Sequence, residues 1–242
     1  MPFAKGLGER NELLYRYFVI SLYRCMKAVI FDMDGVIMDS ELHWKKAELT
    51  LFKKLLPKWT KADQQTILGL NVHDTFRKLS NDYGLTLNHM DFLKRVEGIA
   101  LEVYRKRANL MPGFIDVIQN LKNKKIPVAL ASSSLREWID IGLSRFNIKP
   151  YFDLIVSNED LDVPGKPAPA IYLHTAKLLN VKPSDCVVIE DSKNGVMSAK
   201  NAGMYCIGFR NGFNNKQDLS KSDLEVEGFK NLNNDKFFNL FK

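Results

Sequence analysis

The chain has 242 residues, of which 45% are hydrophobic and 26% charged. That composition excludes a disordered, a collagen-like and a disulfide-stapled chain, and the length suits one large domain or a core with a smaller second module. Lys and Arg number 35 against 28 Asp and Glu, a net charge of +7, which fits an anionic partner (nucleic acid, a membrane surface, a small phosphorylated molecule) or solubility alone.

Residues 1–25 read as an extension ahead of a second methionine, Met26. The apolar run Tyr17–Tyr23 in it is seven residues long, far below the roughly 20 a membrane span needs. Glu9 and Glu12 precede it and no small-residue cleavage site follows, which argues against a secretory leader. Cys25, Cys186 and Cys206 are too few and too scattered for a disulfide framework or a zinc site. Free thiols in a reducing cytoplasm are the expectation.

Five short apolar runs follow: Ala28–Phe31, Val128–Ala131, Leu154–Val156, Val187–Ile189 and Tyr205–Phe209. Uninterrupted apolar runs suit parallel strands covered on both faces. Helical spacing marks Gly113–Leu121, Ala168–Leu179 and Ser192–Ala202, the last stopped by Gly203. The alternation predicts an α/β, doubly wound (Rossmann-like) parallel-sheet core, built from residues 26–39 and 110–242. Between 40 and 109 no strand is legible. Leu42, Ala47, Leu49, Phe52 and Leu55 can share one helical face, so this interval is expected to be an all-helical inserted domain. The asparagines that crowd the C-terminus (Asn211, Asn214, Asn215, Asn231, Asn233, Asn234) suggest loops and a weakly ordered tail.

In an open α/β sheet the ligand sits beyond the carboxyl ends of the strands. The first polar residues there are Asp32 and Asp34 after the first run, Ser132 to Ser134 after the second, and Glu190 and Asp191 after the fourth. Lys166, between Gly165 and Pro167, comes from a loop near the same edge. Carboxylates gathered at one sheet edge repel unless a cation lies among them, and an all-oxygen donor set suits Mg2+. A serine and a lysine facing that cation suit a phosphate. Singly, each residue is as well read as a cap, a turn or a surface side chain. The four groups together are not.

These residues carry a resemblance. Asp32-Met33-Asp34-Gly35-Val36, Ser132, Gly165-Lys166-Pro167 and Glu190-Asp191-Ser192 resemble, in order, the four motifs of the haloacid dehalogenase superfamily, over about residues 27–209. The helical insert stands where the phosphoglucomutase-like branch carries its cap. The resemblance implies that Asp32 is a nucleophile and Asp34 a general acid and base. It implies that Asp32, the Asp34 carbonyl, Glu190 and Asp191 hold Mg2+, and that Ser132, Ser133 and Lys166 bind the phosphoryl oxygens.

The function implied is a Mg2+-dependent phosphatase acting on a small phosphorylated metabolite, a sugar phosphate foremost, through an aspartyl phosphate. The alternative is a phosphomutase of the β-phosphoglucomutase type. Against it, Trp44 stands where that mutase has a histidine, and Val72 where it has an arginine for a second phosphate. The cap should contribute substrate contacts from His43, Trp44, Gly69, Asn71 and His73. Neither nucleic acid nor membrane is an expected partner, and a monomer is expected. A basic nucleic-acid-binding or scaffold role is the distant alternative, with no arginine-rich groove and interleaved aromatics to support it. From Glu41 to Arg107 there are 13 Lys and Arg against 8 Asp and Glu. Most of the excess charge therefore belongs to the insert, where it could help capture an anionic substrate.

Overall fold

The apolar runs become the strands of a single parallel sheet in the computed structural model, which describes residues 25–67 and 70–241. The extension read over residues 1–25 thus lies, apart from Cys25, outside the described residues. Strands β1 (Ala28–Phe31), β2 (Val128–Ser132), β3 (Leu154–Ser157), β4 (Cys186–Glu190), β5 (Tyr205–Arg210) and β6 (Leu224–Glu227) stand in the order β3-β2-β1-β4-β5-β6, every pair parallel. The direction of winding reverses at β1 and β4. That is the crevice where doubly wound sheets bind ligands.

The central strands are buried on both faces, which is why they read as unbroken apolar runs. Ala28, Ile30, Val188 and Cys206 pack under helices α7 (Ala170–Leu178) and α8 (Lys193–Asn201). Val29, Phe31, Leu130 and Ile189 face the opposite layer, with Phe114, Val117, Ile118 and Leu121 of α5 (Phe114–Asn123) and Ile139 and Leu143 of α6 (Arg136–Arg145). Cys186 and Cys206 are buried free thiols on adjacent strands, and Cys25 is an exposed one.

The sixth strand escaped the sequence reading for a physical reason. It is an edge strand, so Leu224 and Val226 point inward while Glu225 and Glu227 are exposed, and four alternating residues make a faint pattern. The C-terminal stretch is also better built than its asparagines suggested. Phe229, Phe237 and Leu240 are buried, and the Leu240 carbonyl accepts the Met26 N–H at 2.7 Å.

Residues 40–107 form helices and no strand among the described residues: α1 (Ser40–Leu55), α2 (Lys61–Gln65), α3 (Val72–Tyr83), α4 (His89–Glu102) and a π-helical turn, Val103–Arg107. Thr60, Asn71 and Asn88 each accept the N–H three residues on, so α2, α3 and α4 start where a capping side chain permits. On α1, Phe52 is buried and Leu49 and Leu55 pack against the core as expected, whereas Leu42 is 44% exposed and Trp44 turns inward in its place. The two connections to the sheet run side by side, with Asp39 N–H donating to Asn109 O and Met111 N–H to Ile37 O. Arg145 of α6 braces the π turn by donating to the carbonyls of Tyr104, Lys106 and Ala108. No helix among the described residues is long and apolar enough to cross a membrane.

Candidate active site

Strand register builds the site. Phe31 pairs with Ile189, so the next residues, Asp32 and Glu190, emerge side by side at the carboxyl edge. Lys166 reaches between them. Its ammonium donates to Asp32 Oδ1 and Glu190 Oε1, both at 2.6 Å, and lies 5.0 Å over the Tyr172 ring. The lysine is only 4% exposed. Burial alone would lower its pKa; the two carboxylates overcome that and hold it above its ordinary value.

Carboxylate oxygens of Asp32, Glu190 and Asp191 lie within 4.8 Å of one another, all on buried residues. Burial, opposed by Lys166 and reinforced by Glu190 and Asp34, pushes Asp32 well above the usual carboxylate range. Burial and then the carboxylates of Glu41, Glu190 and Asp32 do the same to Asp191. One ammonium does not offset this much buried negative charge. A hard divalent cation would, and a wholly oxygen donor set fits one.

The three carboxylates are not equivalent. Glu190 Oε1 accepts from Lys166 and from the Tyr172 hydroxyl at 2.7 Å. Its Oε2 accepts from the N–H groups of Asp191 and Ser192 and from the Ser192 hydroxyl. Among the described residues, Asp32 Oδ2 and Asp191 Oδ1 make no hydrogen bond, so these two residues keep an oxygen for an ion. Glu190 serves to fix its neighbours. A Cβ on Gly195 would overlap the Glu190 carboxylate, and one on Gly35, whose φ is +82°, would overlap Asp191. Only glycine allows both close approaches.

Asp34 stands apart from that cluster. Its Oδ1 accepts from Ser40 Oγ at 2.5 Å and from the Tyr104 hydroxyl at 2.7 Å, and its Oδ2 from Ser134 Oγ at 2.8 Å. Tyr104 comes from the π turn, is fully buried, and accepts the Trp44 indole N–H at 3.1 Å. Ser132 is fully buried at the end of β2, its Oγ accepting the Ser134 N–H, while Ser133 lines the cleft beside it.

The cleft between sheet edge and insert holds about 110 Å³, tighter than the roughly 300 Å³ at which ordinary ligand sites begin. Its far wall is one stripe of α1: Glu41, Trp44, Lys45, Glu48 and Phe52, spaced at three or four residues. Trp44 and Asn71 line it, but the Asn71 side chain is committed to capping α3 and to Asp74. His43 faces the other way, into an outer groove with Lys46, Thr50 and Arg95, 3.8 Å from Asp39. One helical step from Trp44 is enough to remove it. His73 opens on a neighbouring hollow and meets His89 at 3.0 Å; burial first, then His89, lowers its pKa. Gly69 lies outside the described residues. The insert's basic excess is not in the cleft either, where among the described residues six carboxylates face only Lys45 and Lys166.

Several site residues went unread. Asn211 Nδ2 donates to Asp191 Oδ2 and Gly35 O, both at 2.9 Å, and Asn214 Nδ2 donates to the Asp191 carbonyl at 2.7 Å. They lie just beyond β5, where reading polar residues after each apolar run would have found them. Glu41, Lys45 and Glu48 carried a legible signal in their helical spacing. Tyr104 and Tyr172 carried none, because only tertiary packing brings them near Asp34 and Glu190. Glu48 accepts from Gln64 Nε2 at 2.7 Å, and burial together with the adjacent Glu41 carboxylate pushes its pKa up to about 8.

Comparison with known proteins agrees with this geometry. A phosphorylated carbohydrates phosphatase of Thermotoga maritima is 34% identical over 74% of this chain and 82% of its own length. Hexitol phosphatase B of Escherichia coli is 32% identical, over 78% and 85%. The beta-phosphoglucomutase of Bacillus subtilis is 31% identical, over 83% and 89%. In fold, the crystal structure of beta-phosphoglucomutase from Clostridium difficile superposes with a TM-score of 0.73 at 24% identity, over 89% of this chain and 97% of that one. The family model for haloacid dehalogenase-like hydrolases matches residues 29–209. With the strand order and the cluster at the β1–β4 crevice, that match makes this chain a member of the haloacid dehalogenase-like hydrolase family.

Proposed function

We propose that the protein is a Mg2+-dependent phosphatase that hydrolyses a small phosphorylated metabolite, a sugar or polyol phosphate, through an aspartyl phosphate on Asp32. The observation that carries the reading is the pairing of Asp32, held at one oxygen by Lys166, with a separate carboxyl group, Asp34, held by three hydroxyls. Nucleophile and proton carrier are thus distinct side chains with distinct surroundings.

The Asp32 carboxylate attacks phosphorus and the bond from phosphorus to the ester oxygen breaks. A protonated Asp34 gives its proton to the departing oxygen. Asp34, now ionised, takes a proton from water as that water attacks the phosphorus of the aspartyl phosphate. Phosphate leaves and the Asp32 carboxylate is restored. Lys166, Ser132 and Ser133 hold the phosphoryl oxygens throughout. Asp32, Asp191 and the Asp34 carbonyl would hold Mg2+, which when bound would supply charge to offset the repulsion between carboxylate and phosphate.

A cleft of about 110 Å³ admits a phosphoryl group and little else, so the insert moves aside about the paired connections near Ile37–Asp39 and Asn109–Met111 to admit substrate. The reading takes residues 40–109 as a specificity cap on a core of 26–39 and 110–242. The unpaired thiols suit a reducing cytoplasm. A phosphomutase must grip a second phosphate, and the far wall has Lys45, already 3.2 Å from Glu41, as its sole lysine or arginine among the described residues.

Steady-state phosphate release by the purified protein from a panel of sugar and polyol phosphates, with Mg2+ and with chelator, tests the proposal. Mg2+-dependent release abolished by Asp32→Asn is expected. Release unaffected by chelator or by Asp32→Asn overturns it, as does isomerisation of glucose 1-phosphate without net release.

A further inference from the structure

The half of the cleft away from Asp32 is largely apolar, walled by Phe52, Ile67, Leu70, Phe92 and Val96. One polar chain reaches it, through Glu48. Trp59 Nε1 donates to Gln64 Oε1 at 3.0 Å, and Gln64 Nε2 donates to Glu48 Oε2 at 2.7 Å. The indole can only donate, so it fixes which end of the Gln64 amide carries oxygen and turns the Nε2 group toward Glu48. Gln64 is 4% exposed and Trp59 3%. Glu48 Oε1 makes no hydrogen bond among the described residues. A buried polar chain in apolar surroundings costs stability wherever a group in it is left without a partner. Here the chain ends on the cleft at Glu48, an oriented carboxyl group with one oxygen to spare.

Resting on the phosphatase reading above, we infer that Glu48, positioned by Gln64, selects the substrate by its uncharged end: it binds a hydroxyl group, and the enzyme's substrates are phosphomonoesters of hydroxylated carbon chains whose far end bears no second anion. A carboxyl group accepts from a hydroxyl, and when protonated donates to it as well; Glu48 keeps its proton up to about pH 8. A second phosphate would meet the opposite of what it needs. Lys45 is already paired with Glu41 at 3.2 Å, and the apolar side chains beside Glu48 offer no donor. They suit the C–H faces of a sugar or polyol.

The test compares kcat/KM for mannitol 1-phosphate and glucose 6-phosphate with that for p-nitrophenyl phosphate, which has no hydroxyl group to offer, in wild type, Glu48→Leu, Glu48→Gln and Gln64→Leu. Fructose 1,6-bisphosphate completes the set. We expect wild type to prefer the better hexose or hexitol monophosphate to both other substrates. The ratio of its kcat/KM to that of p-nitrophenyl phosphate should fall by about tenfold or more in Glu48→Leu and in Gln64→Leu, the size expected when a site built to bind a hydroxyl loses its partner. Glu48→Gln, which still offers an amide to a hydroxyl, should recover part of the loss. Because each variant is judged by a ratio, general damage to folding cancels. An unchanged ratio in Glu48→Leu overturns the inference, and so does a wild type that prefers the bisphosphate or fails to turn over either monophosphate. Hydrolysis of p-nitrophenyl phosphate in those cases leaves the phosphatase reading standing. A wild type that hydrolyses nothing removes both.

Discussion

The Tyr104 hydroxyl donates to Asp34 Oδ1 at 2.7 Å across a separation of 70 residues. Tyr104 belongs to the helical insert and Asp34 to the loop after β1, and the same hydroxyl accepts the Trp44 indole N–H at 3.1 Å. Position of the insert and orientation of the proposed proton carrier are therefore linked through one oxygen. Tyr104→Phe removes that oxygen and little else. It should lower kcat by about tenfold with a smaller change in KM, because a misaimed acid–base group loses part of a contribution of roughly 10²–10⁴. It should also cost about 1–3 kcal/mol of stability, since the buried Trp44 N–H loses its acceptor. Steady-state kinetics and denaturant unfolding measure the two effects, and an unchanged kcat would break the link drawn here.

Asn211 holds Asp191 Oδ2 at 2.9 Å and ties it to the Gly35 carbonyl. Residues that orient a metal ligand commonly contribute about 10–100-fold to metal affinity. Asn211→Ala should raise the Mg2+ concentration needed for half-maximal activity by at least about tenfold. Mg2+ should raise the wild-type Tm, because an ion bound only by the folded state stabilises it by mass action. The rise should shrink in Asn211→Ala and vanish in Asp191→Asn.

Glu48 links pH to stability. Unfolded, its carboxyl loses its proton near the ordinary value of 4.5; folded, it holds it to about 8. Between those values the folded state binds more protons than the unfolded one, so this residue makes stability fall as pH rises through that window. Glu48→Gln abolishes the dependence. The variant should gain on wild type steadily from about pH 4.5 to 8 and not beyond, by about 1.4 kcal/mol per unit of pH at most, each 1 kcal/mol being worth roughly 2–4 °C in Tm for a chain this long. Thermal melts of both proteins across that pH range check the sign.

Gly195 lies against the Glu190 carboxylate so closely that a methyl group would overlap it. Gly195→Ala on α8, a change that favours an isolated helix by about 1 kcal/mol, should here destabilise the protein. Displacing Glu190 strips Lys166 and Tyr172 of a shared acceptor. A loss of about 2 kcal/mol or more is expected in denaturant unfolding. Activity should fall with it.

Much of this was legible in the sequence. Strands buried on both faces announce themselves as apolar runs, and the polar groups of the crevice come at or just after their ends, so Asp32, Asp34, Ser132, Ser133, Glu190 and Asp191, with Lys166 from its loop, could be named before any coordinates. The insert was legible as helical, but its aim was not. Neighbours on a helix diverge by about 100°, so His43 turns outward where Trp44 turns in. His73 was lost similarly, to a contact with His89 that no local pattern foretells. Net charge pointed to no site residue, because most of the insert's lysines and arginines are exposed on its outer surface while Glu41 and Glu48 face the cleft.

The central claim is that Asp32 becomes phosphorylated during turnover. Asp34→Asn should slow water's attack on that intermediate and let it accumulate. Acid quenching of this variant during reaction with a sugar phosphate and Mg2+, followed by peptide mass spectrometry, reads it directly. A phosphoryl group on the peptide carrying Asp32, absent without Mg2+ and absent when Asp32 is also changed to Asn, is the predicted result. Phosphate release by wild type that persists in Asp32→Asn, with no phosphorylated peptide in either protein, would contradict the account.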